Sequence, residues 1–181
     1  MTYPIRIAGD QVVLREFAPE DVDDVLAIIG DDKVTSWLSF DSRSRAEAVA
    51  MVDGAVARAQ EKPRTEYYLA VTPKGEEDRV VGFARIAFAG ARAGKLGYAI
   101  AAQEWGRGYA TDAARCLTSY AFVELGLHRV SAAIGPSNLA SIALVERLGF
   151  QKEGVLRDHV HTNGSWRDSV LYSVLENEWR P

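Results

Sequence analysis

The chain has 181 residues, of which 48% are hydrophobic and 25% charged, with a formal net charge of −4; that length can bury a sizeable core and suits one domain over residues 1–181. The composition excludes a low-complexity or repeat protein, and the acidic balance argues against a nucleic-acid partner, which needs a basic surface to meet phosphates. A single cysteine, Cys116, excludes an intrachain disulfide framework and a multi-cysteine metal site, and its place in an apolar pattern marks it as a buried thiol.

The opening MTYPIRIAGDQ has no apolar leader and no stretch approaches a membrane span, so a cytoplasmic protein without a membrane partner is expected. Residues 11–17, QVVLREF, read as a strand that ends where Pro19-Glu20-Asp21 supplies helix-start chemistry. Val22, Val25, Leu26 and Ile29 then repeat at helical spacing up to Gly30. A second, alanine-rich helix is expected from about Arg45 to Gln60, with Ser44 as its cap.

YYLAVT (67–72) and RVVGFARIAF (79–88), separated by PKGEED, read as an antiparallel strand pair. KLGYAI (95–100) is the next strand. Two glycines follow it in EWGRGYATDAA, and a helix from Thr111 to Leu125 carries Ala114, Leu117, Ala121 and Leu125 on one stripe, ending at Gly126. HRVSAAI (128–134) is a strand, Asn138 to Leu148 a helix, and the tail a hairpin around Asn163-Gly164. Asn163-Gly164-Ser165 also matches a glycosylation acceptor, but Asn-Gly between strand-like runs is first a hairpin turn.

The predicted order is β-α-α-β-β-β-α-β-α-β-β. This is an α+β fold with a mixed sheet and helices packed on it, in which strands 95–100 and 128–134 run parallel across a right-handed crossover.

The turn with Gly106 and Gly108 lies between a strand end and a helix start, where backbone N–H groups and the helix dipole suit an anion. It is no P-loop, lacking GxxxxGK[ST], and Gly106-x-Gly108-x-Ala110 lacks the third glycine of a dinucleotide fingerprint. By itself the turn is as consistent with plain strand-to-helix geometry.

Taken with its surroundings it says more. Leu96-Gly97-Tyr98, Trp105 to Thr111, Asn138-x-x-Ser141 and Glu146-x-Leu148-Gly149-Phe150 together resemble the acyl-CoA-binding core of the GNAT N-acetyltransferases. The likeness is greatest to the Rim-type ribosomal-protein-alanine N-terminal acetyltransferases, and it extends through Glu153-Gly154 and Trp166-Arg167-Asp168 over nearly the whole chain.

The resemblance implies a GNAT-like fold, a twisted and mostly antiparallel sheet of about seven strands flanked by about four helices. It also implies acetyl-CoA as co-substrate. The pyrophosphate would take the amides of Gly106, Arg107, Gly108, Tyr109 and Ala110, with Thr111 at the helix start. Arg107 would add a charge contact or else stand in solvent. The pantetheine arm would pair with Tyr98, Ala99 and Ile100 while strand 128–134 splays away. Asn138 would anchor the arm, cap its own helix, or both.

Departures from the family pattern bear on the chemistry. Val145 stands where many members carry a tyrosine acid, Ala133 where some carry a glutamate base, and Lys95 where the subgroup often has an acidic residue. Ser141 is therefore the expected proton donor to the thiolate. His159 and Asp158 are candidate bases on the strand before Asn163-Gly164, where regular alternation would put His159 and His161 on one face and Asp158 on the other. Asp112 is read as complementing the helix dipole. Trp37 and Phe40 are candidates for lining an acceptor groove, and no metal is expected, because no His/Asp/Glu cluster has ligand spacing.

The expected acceptor is a protein or peptide N-terminus. A small amine such as an antibiotic, polyamine or amino acid is the alternative, and a CoA-binding module without catalysis a third reading; a monomer or homodimer fits each.

Overall fold

A computed structural model describes residues 3–181; Met1 and Thr2, which begin the stretch read for a leader, lie outside the described residues. In chain order the elements are β1 (Arg6–Ala8), β2 (Val12–Arg15), α1 (Val22–Ile29), α2 (Asp32–Thr35), α3 (Arg45–Ala59), β3 (Glu66–Pro73) and β4 (Gly82–Phe88). There follow β5 (Ala93–Ile100), α4 (Tyr109–Val123), β6 (Arg129–Ile134), α5 (Leu139–Arg147), β7 (Gln151–Thr162) and β8 (Ser165–Leu175). The strands form one eight-stranded sheet in the order β1-β2-β3-β4-β5-β6-β8-β7. It has one strand more than the resemblance implies, because the amino-terminal run folds as the short hairpin β1–β2 instead of a single strand.

Local chemistry accounts for the helix starts. Ser44 and Glu47 form a reciprocal capping box at α3, the arrangement that satisfies two orphan amides at once. Asp31 accepts from the Lys33 amide and starts the single turn of α2. Asn138 Oδ1 accepts from the Ser141 amide at 3.1 Å, so the capping reading of Asn138 holds at α5.

Alternation along the strands divides the core between the two faces of the sheet. One face, with Leu14, Leu69, Ile86, Leu96, Val130 and Val174, packs on α4 and α5. The other, with Ala70, Phe83 and Ala99, packs on Val25 and Ile29 of α1 and Val52 of α3.

Every neighbouring strand pair is antiparallel except β5–β6. These two parallel strands stay in register only for Ala93↔Arg129, Gly94↔Val130 and Lys95↔Ser131. Their outer edges stay paired far longer, β5 with β4 as far as Gly82↔Ile100 and β6 with β8 as far as Ile134↔Val170. The sheet therefore opens between Leu96–Ile100 and Ala132–Ile134, and no ladder bond joins those two edges.

Asp112, in the first turn of α4, does more than face the helix dipole. Its buried Oδ2 accepts from the amides of Gln11 at 2.8 Å and Val12 at 3.0 Å, and Oδ1 takes Arg115 at 2.6 Å. Burial alone would raise this carboxyl, but the Gln11 amide, Arg115 and the Val12 and Asp10 amides outweigh it and hold the group below the ordinary aspartate value. Asp112 thus ties the helix start to the β1–β2 turn. Cys116, one helical turn on, is buried as expected, and burial pushes its thiol up to about 11.

Asp112→Asn is expected to cost about 1–3 kcal/mol at neutral pH, because two strand-turn amides lose a charged acceptor. The folded pKa lies below the unfolded value of about 3.9, so the carboxylate's contribution is complete above that pH and is lost as pH falls through the folded value. Urea midpoints of the two proteins should therefore differ at pH 7 and converge in acid.

Candidate active site

Where β5 and β6 part, a cleft of about 1560 Å³ opens, lined from both faces of the sheet. At one end is the glycine turn. Gly106 and Gly108 have φ of +79° and +82°, the left-handed region that costs residues with a Cβ about 1–2 kcal/mol. A Cβ at Gly106 would meet nothing within 4 Å, so it is the backbone angle and not crowding within the protein that calls for glycine there. The first amide of α4 to bond within the helix is that of Asp112, which donates to Gly108 O at 3.0 Å. The amides from Gly106 to Thr111 have no acceptor among the described residues. Converging N–H groups and the positive end of a helix make an anion cradle.

Two side chains fix this turn. The Trp105 indole donates to Ile100 O at 2.8 Å and fastens the end of β5 to the loop. Glu104, buried, takes Arg79 at 2.7 Å on Oε1, while Arg107 Nε lies 3.3 Å from Oε2. The Arg107 side chain is thus turned to Glu104, although it is 58% exposed, and its backbone amide remains part of the cradle. Neither tie could be read from the sequence.

Ser141 and Asn138 line the cleft from the start of α5, and Tyr98, Ala99 and Ile100 line it from β5. The Tyr98 hydroxyl is buried and has no hydrogen-bond partner among the described residues. Burial pushes it up to about 12, and Ser141 beside it pulls back part of that rise. Val145 is fully buried in the core, whereas Ala133 lines the cleft, so the carboxylate some family members carry there would have faced it.

The two candidate bases are separated. His159 lines the cleft, with Nδ1 3.0 Å from Ser169 Oγ. Asp158 is exposed, has φ +47°, and donates its amide to Asp168 Oδ1 at 2.9 Å, outside the cleft lining. His161 packs edge-on against Trp166, 5.0 Å between ring centres. The expected alternation fails here because the β7–β8 register shifts between Leu156 and Val160.

Trp37 and Phe40 line the cleft on the other face, with Leu38, Met51, Tyr68 and Phe83. Their loop is strapped to the hairpin. Arg167 donates to the carbonyls of Ser36 and Leu38, each at 2.6 Å, and the Asn163 amide donates to Asp41 at 2.7 Å. Trp166-Arg167-Asp168 was visible in the sequence only as part of a resemblance; here Arg167 holds the loop and Asp168 the bulge. No group of three or more His, Cys, Asp or Glu is placed to hold a metal ion among the described residues.

Known proteins resemble this chain in sequence and fold. The acetyltransferase (GNAT) domain family matches residues 11–151. The chain is 31% identical over 175 residues to the uncharacterized N-acetyltransferase YoaA of Bacillus subtilis (strain 168), covering 96% of this chain and 98% of that protein. It is 32% identical over 109 residues to the ribosomal protein uS5-alanine N-acetyltransferase of Escherichia coli (strain K12), covering 59% and 56%. Its fold is similar to that of Mycobacterium smegmatis RimJ in complex with CoA-disulfide, with a TM-score of 0.84 at 24% identity over 97% of this chain and 90% of that one.

Arg167→Met should release the loop that carries Trp37 and Phe40. Amide exchange at Trp37 and Leu38 is expected to quicken by at least about tenfold, the loss of two charge-assisted bonds; unchanged exchange there would refute the strap.

Proposed function

Because the chain belongs to the GNAT acetyltransferase family and is an N-acetyltransferase, we propose that it moves the acetyl group of acetyl-CoA to the α-amino group of a protein or peptide N-terminus. The observation that carries this reading is the absence of a free carboxylate at the cleft. Among the described residues, each carboxylate lining it is bound to arginine: Glu47 to Arg43, Glu66 to Arg58 and Arg85, and Glu104 to Arg79. His159 is the one imidazole in the lining.

A site with so weak a base suits a weakly basic amine. An α-amine of pKa about 7.7–8.0 is already about a tenth neutral at pH 7, whereas lysine near 10.4 needs roughly 3–4 kcal/mol more help. The uS5-alanine relative supports the same choice of acceptor.

The residues divide the work as follows. The amides of Gly106 to Ala110 and the helix start at Thr111 hold the pyrophosphate, and Tyr98 to Ile100 offer a free strand edge to the pantetheine arm beside Asn138. As the amine nitrogen bonds to the acetyl carbon, the carbon–sulfur bond breaks. The amine's proton leaves to His159 directly or through water. The departing thiolate takes its proton from Ser141 Oγ, which regains one from solvent in the cleft that it lines.

Ser141→Ala should lower kcat about 100-fold with little change in the KM for acetyl-CoA. Normal turnover in Ser141→Ala would remove the assigned donor. In a thiol-release assay, peptides with free N-termini should outpace N-blocked peptides with internal lysines by at least about tenfold. The reverse ranking would overturn the acceptor.

A further inference from the structure

The part of the sheet face that α1 and α3 leave open has a charge of its own. Strand alternation sets Glu66 beside Tyr68, Arg85 beside Phe83 and Lys95 beside Ala99 on this face, and Arg58 reaches it from α3. All four line the cleft. Both guanidiniums converge on Glu66: Arg58 Nε lies 2.6 Å from Oε2, and Arg85 pairs with Oε1. Lys95 is exposed and has no ion pair or hydrogen bond among the described residues. Three cations therefore face one carboxylate. Arg43 and Glu47, the other ion pair in this half of the lining, cancel each other at 2.6 Å. The excess is local, since the whole protein carries −4.

Its position relative to the opening matters. Lys95 is in the last register pair before β5 and β6 part, and Arg85 pairs across the sheet with Gly97, one residue into the opening. Neighbouring strands lie about 4.8 Å apart, so Arg85 is about one strand spacing from the parted edge, and Glu66 with Arg58 about two. An extended peptide advances about 3.3 Å per residue. With its first amine at the opening, its second to fourth residues cross these charges.

We propose that the acceptor is a peptide N-terminus with acidic side chains among its second to fourth residues, read by Lys95 and by the arginine pair on Glu66. This rests on the N-terminal acceptor reading above. Charge complementarity over a partly enclosed cleft raises both encounter rate and affinity for the opposite sign, and screening by salt weakens it.

The test uses peptides of one length and one first residue, with Asp/Glu, Ala or Lys at positions two to four, assayed by thiol release. The expected order of kcat/KM is acidic over neutral over basic, with at least a tenfold span that narrows at high salt. Lys95→Glu, a change at an exposed side chain without partners, should compress or invert that order while Lys95→Ala only flattens it. Equal rates for all three peptides, a preference for lysine, or an undiminished acidic preference in Lys95→Glu would overturn the proposal. Acetylation of carboxylate-bearing small amines but of no peptide would instead overturn the N-terminal reading itself, and this proposal with it.

Discussion

The site depends on one constraint: two parallel strands that stay together for three register pairs and then separate. Backbone groups freed inside a sheet are costly unless something else satisfies them. Here the cost is contained because each strand keeps its other neighbour, β4 along β5 as far as Ile100 and β8 along β6 as far as Ile134. The parted strands cannot drift, since both outer edges are locked. What results is a rigid sheet whose inner edge at Leu96–Ile100 has no strand partner, with only the Ile100 carbonyl taken, by Trp105, and is available to an extended ligand as an added strand would be. The cleft, the glycine turn and α5 are all arranged around that opening.

The turn at the top of the opening is held in shape by bonds within the protein. Trp105 fastens it to the end of β5, Glu104 ties it through Arg79, and Asp112 anchors the first turn of α4 to the β1–β2 hairpin. Two of these bonds join segments far apart in the chain and the third closes the loop on its own strand, so the amides of Gly106 to Thr111 are aimed before any ligand arrives. Preorganisation of this kind removes an ordering cost that binding would otherwise carry. The indole of Trp105 suits this role, since it offers a single, rigid donor to Ile100 O.

Much of the fold was legible because its longer elements repeat with clear periods. Val22, Val25, Leu26 and Ile29 announce α1, and Ser44 ahead of an alanine-rich run announces α3. β1 and α2 were missed since three or four residues are too short to show a period; a strand partner and the Asp31 cap define them instead. Within the site, the glycine turn and the Asn138 cap were legible because each is a contiguous stretch whose geometry is local. The Tyr98–Ser141 juxtaposition and the Arg167 strap join residues distant in sequence, and no periodicity reports such contacts. His159 and His161, expected on one face, were parted by a bulge that strict alternation cannot foresee. As an aspartate, Asp158 tolerates the left-handed backbone better than most residues, and Asp168 holds it there.

The two faces of the sheet explain why the donor was named from sequence and the acceptor was not. In the proposed reading the donor's phosphates and amide-bearing arm meet backbone groups, and backbone recognition forces a particular local grammar of glycine, small residues and caps. Glycine sits at φ +79° and +82° more easily than any other residue, so such a turn is written in the sequence as glycine. The proposed acceptor face is built differently. Trp37 and Phe40 come from a loop, Arg58 from a helix, Arg85 and Lys95 from two strands and His159 from a bulge, and each is free to change without disturbing the donor's cradle. Specificity held in side chains from unconnected segments leaves no motif. It is legible only as a physical property of the assembled face, and here that property is an excess of positive charge beside the parted strands.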